Sequence, residues 1–321
     1  MSKILFLNPS PLIKFGLSQG FVDNGWDVEI MLYETAFLDE YKKFQAIKSN
    51  INSTKPDLVF CEFGAGMPFQ KTYDLCQRKG IPFYIWAIED TPSVTCWADQ
   101  IVTYCDGVFT TTVELISHYK ELGKNAHLLM FGCNPKFHRP LLKDTKAYPY
   151  DLILIGQNYD SRYDKMKWFL KPIIDANYNL GVYGLDWWTD KKREFNIPSN
   201  FYKGGLGYEE IPTAYSTVPI GLGINCNDES ETQMSMRPFE FLGSSNGLMV
   251  SFYTKAQENI FGDRLYLPKN SQETLNMVDE ILSMTPEQRK EKADENREWV
   301  YANHNYEDRA NIVIDVFNGR V

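Results

Sequence analysis

The chain has no C-x-x-C pair, no Asp-x-Asp and only four histidines in 321 residues. None of the histidines has metal-ligand spacing, so a His/Cys metal centre is not expected. Residues 8–20 contain glycines but no G-x-G-x-x-G, which weakens a dinucleotide-binding reading. Cys61, Cys76, Cys96, Cys105, Cys133 and Cys226 show no paired spacing, and several lie in apolar runs, as buried free thiols do. A reducing compartment fits such usage. A basic excess is also missing: 33 Lys plus Arg stand against 42 Asp plus Glu, a net charge of −9. That balance excludes a broad nucleic-acid-binding face, which needs a basic stripe, but leaves room for a small phosphate site. No apolar run approaches a membrane span. Residues 1–8 read directly into a strand and are too short for a secretory apolar region. The expected location is cytoplasmic.

What is present is an alternation of strand and helix patterns in a chain long enough for two domains. Aromatics make up 14% of the residues, which suits both carbohydrate-facing surfaces and a packed α/β core. In the first half, short apolar runs predict strands at 4–7, 27–32, 57–61, 83–87, 107–111 and 128–131. Helical patterns separate them: one to about residue 24, one at 39–50, one opened by Gly64-Ala65-Gly66 and one at 113–122. Residues 133–150 hold Pro135, Pro140 and Pro149 in a polar, basic segment with neither period, and read as a linker. A second series follows, with strands at 152–155, 180–183, 201–203, 220–224 and 248–250. Its helices are expected from the loop after 155 to about 176, at 208–216, 235–242 and 270–284, and at 306–317. Thr285-Pro286-Glu287-Gln288 spells a capping box with Pro at the first helical position. Alternation of this kind argues for parallel, doubly wound sheets.

The chain is organised around residues 233–261. Met236, Phe239 and Leu242 share one face of a short helix, while Arg237 and Glu240 are neighbours on its polar side. A glycine-bounded turn, a buried strand and the loop bearing Ser251 and Tyr253 come next. In open α/β sheets the carboxyl end of a strand is where ligands bind. A guanidinium suits a phosphate and a carboxylate suits the paired hydroxyls of a ribose. The spacing also fits an ordinary Arg–Glu surface pair.

RPFEFLGSSNGLMVS, followed by an acidic residue and IFG, resembles the C-terminal signature of the spore-maturation CgeB-like glycosyltransferases, relatives of glycosyltransferase family 4. YDLILIGQNYDSRYDK, GVYGLDWW and YKGGLGYEEIPTAYSTVPIGLGIN fit the same pattern, as do WAIEDTPSV, CDGVFTTTVELISHY and LLMFGCNP. The resemblance spans nearly the whole chain and rests on the order of the motifs. It implies an α/β chain of two Rossmann-like parallel-sheet domains facing a cleft, the GT-B architecture. Residues 1–140, joined by the final helix at 305–321, would form the acceptor side, and residues 141–304 the nucleotide-sugar domain. The implied reaction moves a hexose from a nucleoside-diphosphate sugar, UDP-linked as in relatives, to a hydroxyl of a carbohydrate or protein acceptor. Neither a metal nor a cofactor beyond the donor is implied. Family 4 relatives often carry two glutamates eight positions apart. Glu240 matches the second, the ribose contact, but Thr232 stands where the first belongs, with Glu229 and Glu231 out of register. The resemblance implies retention; the missing glutamate leaves inversion open.

The same resemblance assigns the diphosphate to Arg237, Arg162 and Lys165, beside the loop that begins at Gly156. A loop opening a helix adds backbone donors and the helix dipole. The base would be read by residues 202–208, with Tyr202 and the close approach allowed at Gly204. On the acceptor side, Glu89 and Asp90 follow the strand at 83–87, where an acid orients or deprotonates a hydroxyl. Their local alternative is a turn in which Thr91 caps a helix begun by Pro92. Arg162 and Lys165 equally suit solvated helix charges, His118 a packing role, and Trp187 and Trp188 the core. An epimerase of the same architecture, and a degenerate sugar-binding protein, are the competing readings.

Overall fold

The computed structural model describes residues 1–32, 38–62, 66–90, 98–141, 148–225 and 229–320. The chain forms two compact units: Met1–Asn134 with Ser230–Gln233 and Asn305–Val321, and Pro135–Glu229 with Met234–His304. Gly64 and Ala65, Thr91 and Pro92, and Cys96 and Cys226 lie outside the described residues.

In the first unit, β1 (Lys3–Phe6), β2 (Asp27–Ile30), β3 (Leu58–Glu62), β4 (Phe83–Ala87), β5 (Gly107–Thr110) and β6 (Asn125–Leu128) pair in parallel, in the order β2-β1-β3-β4-β5-β6. Their connections hold α1 (Ser18–Asp23), entered through a π turn at Ile13–Leu17, then α2 (Glu40–Thr54), α3 (Phe69–Lys79), α4 (Ala98–Val102) and α5 (Ile116–Glu121). β3 and β4 are buried at every position, as strands covered on both faces must be. The strand expected at 128–131 lies at 125–128 instead. Its polar Asn125 and His127 alternate with Ala126 and Leu128 as an edge strand permits, whereas the apolar Leu129, Met130 and Phe131 are buried beyond the ladder. The carbonyl of Leu129 there accepts a hydrogen bond from the Trp86 indole at 2.9 Å. The strand order reverses between β1 and β3, so their carboxyl ends flank the crevice of this sheet.

In the second unit, β7 (Leu152–Ile155), β8 (Leu180–Tyr183), β9 (Ile220–Gly223) and β10 (Leu248–Ser251) are parallel in the order β10-β9-β7-β8, with the reversal between β7 and β9. Helices α6 (Tyr163–Asp175), α7 (Ile211–Thr217), α8 (Arg237–Ser244), α9 (Lys255–Phe261), α10 (Ser271–Ser283) and α11 (Pro286–Asn303) surround it. The strand expected at 201–203 is a single bridge between Val182 and Tyr202. Gly204, at φ 91°, turns the chain away directly after it. The expected capping box forms: Thr285 Oγ1 accepts from Gln288 N–H at 3.3 Å, and Gln288 Oε1 accepts from Thr285 N–H at 2.9 Å. Phe239, Phe241 and Leu242 bury α8, with Phe241 filling the space beside Gly221, where a Cβ would lie 2.2 Å from its ring.

The last helix, α12 (Tyr306–Phe317), returns to the first unit and packs on α1. The approach is possible because Gly16 and Gly20 have no side chains. A Cβ at Gly20 would sit 2.0 Å from the Tyr306 carbonyl oxygen, and one at Gly16 2.6 Å from the Tyr306 ring. Ala310, Val313 and Val316 are buried along the same helix. Each large apolar side chain so covered contributes roughly 1.5–3 kcal/mol. Among the described residues no helix is long and apolar enough to cross a membrane.

Candidate active site

A helix crossing between parallel strands runs antiparallel to them, so the first turn of α8 lies at the carboxyl edge of the second sheet. The loop from β9 reaches this turn directly: the Ser235 N–H donates to Asn225 Oδ1 at 2.9 Å, and Ser235 Oγ accepts from the Arg237 N–H at 3.3 Å. The loop from β7 lies alongside, since a Cβ at Gly156 would be 3.0 Å from Ile224 Cδ1. The reversal point therefore brings Gly156, Asn225 and Arg237 to one edge.

Arg237 and Glu240 do pair, but not on the surface. Nη1 of Arg237 lies 2.5 Å from Oε2 of Glu240; the arginine side chain is 18% exposed and the glutamate 1%. Tyr208 donates its hydroxyl proton to Oε1 of Glu240. His138 Nε2 lies 3.2 Å from the same phenol oxygen. Because that phenol spends its only proton on Glu240, His138 must be the donor, which fixes its Nε2–H tautomer. Phe137 stacks parallel to the Tyr208 ring with centroids 5.7 Å apart. Burial pushes the Glu240 carboxyl up, but the charge of Arg237, the His138 ring and the two hydrogen bonds outweigh it and hold it below the usual range. Burial likewise favours a neutral Arg237, and the Glu240 charge overrides that, keeping the guanidinium charged. His138, fully buried, is pushed down to about 4 by burial, against the opposing pull of Glu240. Among the described residues, the remaining guanidinium N–H groups of Arg237 meet no protein acceptor.

The other sequence candidates divide. Arg162 is buried at the foot of α6, donates to the Gln157 carbonyl at 2.8 Å and lies 5.0 Å from the Tyr159 ring centroid, so it braces the loop after Gly156. Lys165 is half-buried in the first turn of α6. Tyr202 donates to the Gly184 carbonyl at 3.1 Å, and the Gly204 carbonyl accepts from the Gly184 N–H at 2.9 Å. Ser251 is fully buried and its hydroxyl is engaged by the Gln257 amide at 2.8 Å. Tyr253 donates to Glu258 at 2.7 Å beneath Lys269. Trp188 is core, while Trp187 is half-buried under Arg193, 4.3 Å from its ring centroid.

In the first unit, Asp90 is buried and accepts from Thr110 Oγ1 at 2.8 Å and Tyr119 OH at 2.7 Å. Burial raises its carboxyl above the ordinary value, and those two bonds oppose the rise. Its contacts are those of a brace between the β4 and β5 loops. Glu89 is exposed. His118 pairs with Asp99 at 2.7 Å. Sequence reasoning missed two groups. His138 stood in the segment read as a linker, and Glu62 ends β3 as an isolated acid in an apolar run.

No curated protein matches the chain significantly. Residues 162–315 match the model of a family described as glycosyl transferase-like. Among solved structures, a DNA-modifying β-glucosyltransferase studied with and without uridine diphosphoglucose superposes with a TM-score of 0.66 at 11% identity, covering 98% of this chain and 99% of that one. The α,α-trehalose-phosphate synthase (UDP-forming) of Burkholderia vietnamiensis gives a TM-score of 0.61 at 10% identity, covering 99% and 100%. The T4 phage BGT solved with UDP and Mn2+ gives 0.61 at 13% identity, covering 98% and 99%. At such identities the likeness concerns the fold, two parallel sheets in the GT-B manner. The chain thus has the GT-B fold, and its residues 162–315 are similar to a glycosyl transferase-like family.

Proposed function

We propose that the chain moves a hexose from a uridine-diphosphate sugar to a hydroxyl of a carbohydrate or protein acceptor. One observation carries this reading. Arg237 stands in the first turn of α8 at the reversal point of the second sheet, held by the buried Glu240, with its remaining donors uncommitted among the described residues. A charged, oriented fork of donors at a helix start is suited to a diphosphate. As the bond between the anomeric carbon and the diphosphate oxygen breaks, negative charge grows on the leaving group, and a fixed cation stabilises it. Lys165, in the first turn of α6, supplies a second cation. With these cations the transfer proceeds without a metal.

Glu240 contributes twice. It holds Arg237 in place, and the spare lone pairs of its oxygens accept the ribose hydroxyls, one of them at the oxygen that Tyr208 otherwise occupies. Tyr202 and the turn at Gly204 supply the wall for the base. The buried free thiols of Cys61, Cys76, Cys105 and Cys133 support a cytoplasmic setting.

Calorimetric titration with UDP tests the reading. Arg237→Ala should weaken binding by roughly 1.5–3 kcal/mol, the range for a hydrogen bond to a charged group, which is about 10- to 150-fold. EDTA should leave the wild-type affinity unchanged, and added Mn2+ should not raise it. Equal affinity of variant and wild type, or loss of binding on chelation, would overturn the assignment.

A further inference from the structure

In the second unit the acid assigned to the ribose is covered. Glu240 is 1% exposed, and both of its oxygens are engaged: Oε2 by Nη1 of Arg237 and Oε1 by the hydroxyl of Tyr208. A ribose hydroxyl therefore reaches Oε1 only if the phenol gives way. The groups around this contact are not equally fixed. Glu240 lies within α8, whose residues from Pro238 to Ser244 are all buried. His138, which donates to the phenol oxygen, is fully buried, and the Tyr301 hydroxyl of α11 lies 2.7 Å from its carbonyl oxygen. Tyr208, by contrast, is half-buried and opens the short helical turn that leads into α7. Gly204, Gly205 and Gly207 stand just before it. Gly204 has φ 91°, and a Cβ at Gly204 or Gly205 would meet no described atom within 4 Å. A glycine-rich stretch with open space around it absorbs a change in φ and ψ at little cost.

We propose that Tyr208 is a latch on Glu240 which the ribose of the nucleotide displaces; this rests on the transfer reading above, in its assignment of the ribose to Glu240. Without nucleotide, the phenol gives Oε1 the partner that a buried carboxylate requires. So paired, Glu240 keeps the Arg237 fork oriented. The Phe137 ring, parallel to that of Tyr208 with centroids 5.7 Å apart, steadies the closed position. When a nucleotide arrives, one ribose hydroxyl takes over Oε1 and the phenol turns to water. One hydrogen bond to the carboxylate is exchanged for another, so the contact at Oε1 adds little net affinity. An analogue without ribose hydroxyls leaves the latch closed and Glu240 paired. The latch thus narrows the difference between a ribonucleotide and its dideoxy analogue. Without the phenol hydroxyl, the ribose is no longer competing for Oε1, and the bond it makes there counts in full.

Calorimetric titration of wild type and Tyr208→Phe with UDP and with 2′,3′-dideoxyuridine diphosphate tests this. Phenylalanine keeps the ring against Phe137 and removes only the competing hydroxyl. UDP should bind the variant at least about tenfold more tightly, the lower end for a hydrogen bond to a charged group. Affinity for the dideoxy analogue should stay at the wild-type value. Tyr208→Leu, which also lacks the hydroxyl, should show the same selective gain and decides the matter if the first variant does not fold. Unchanged or weaker UDP binding in these variants overturns the latch. An equal gain for both nucleotides overturns it too, since Tyr208 would then be a steric cover without competition for Glu240. If UDP binds neither the wild type nor the variants, the transfer reading itself falls, and the latch with it.

Discussion

Glu240→Gln asks whether the Arg237–Glu240 pair is an oriented charge site or only a helix contact. The substitution keeps the shape, removes the charge, and turns the oxygen facing Arg237 into an amide donor. Breaking a buried ion pair from one side typically costs about 3–5 kcal/mol. Here Glu240 is 1% exposed and Arg237 18%, so water reaches the stranded guanidinium and the lower end applies. The amide oxygen still accepts from Tyr208, which preserves roughly 1 kcal/mol. The expected loss is therefore about 3 kcal/mol in urea titrations at neutral pH. Adding Arg237→Met should recover about 2 kcal/mol of it, because no charge is then left unpaired. A loss under about 1 kcal/mol, or a double variant no more stable than the single one, would refute the buried-pair reasoning. The same variant separates the two roles of Glu240. If the carboxylate accepts ribose hydroxyls, the affinity penalty falls on UDP and largely spares 2′,3′-dideoxyuridine diphosphate. An equal penalty for both would leave Glu240 as scaffold for Arg237 alone.

His138 should make stability pH-dependent. Its folded pKa, about 4, lies below the ordinary 6.5, so its contribution is complete above pH 6.5 and is lost as pH falls through 4. The gap corresponds to about 3 kcal/mol. The wild-type advantage over His138→Gln should shrink by that amount across this window in urea titrations, and a constant difference would contradict the assignment. Asp90→Ala should leave the Tyr119 and Thr110 hydroxyls unpaired and cost roughly 2–4 kcal/mol. Its UDP affinity should stay at the wild-type value, and a calorimetric loss there would contradict a purely bracing role for Asp90.

The strands at Phe83–Ala87, Leu152–Ile155 and Leu180–Tyr183 were legible residue for residue, because fully buried parallel strands are short apolar runs bounded by polar turns. The edge of the first sheet was not. There the apolar run Leu129 to Phe131 is loop packed under the sheet, while the ladder uses the more polar segment before it. At the site, Arg237 and Glu240 were visible because helical spacing makes them neighbours. Their burial was not, since it comes from Tyr208 and His138, which lie far away in sequence. Glu62 was illegible for the same reason. Its partner Ser10 is 52 residues away, and one acid at a strand end leaves no periodic trace. The burial of Asp90 was not legible either, because position after a strand suggests exposure, whereas Thr110 and Tyr119 bond it from β5 and α5.

The docking of α12 against Gly16 and Gly20 has a consequence for the order in which the protein is made. The first unit draws residues from both sides of the second in the chain, and its covering helix is made after the second unit's last residue. Until Tyr306–Phe317 leaves the ribosome, the face of α1 that carries Gly20 stays open to water, however complete the sheet behind it. The second unit contains no such late piece from beyond His304 and can close earlier. Of the two units, the one begun earlier is thus finished later, and a nascent chain stalled before α12 presents an unsealed face to the cell's chaperones and proteases.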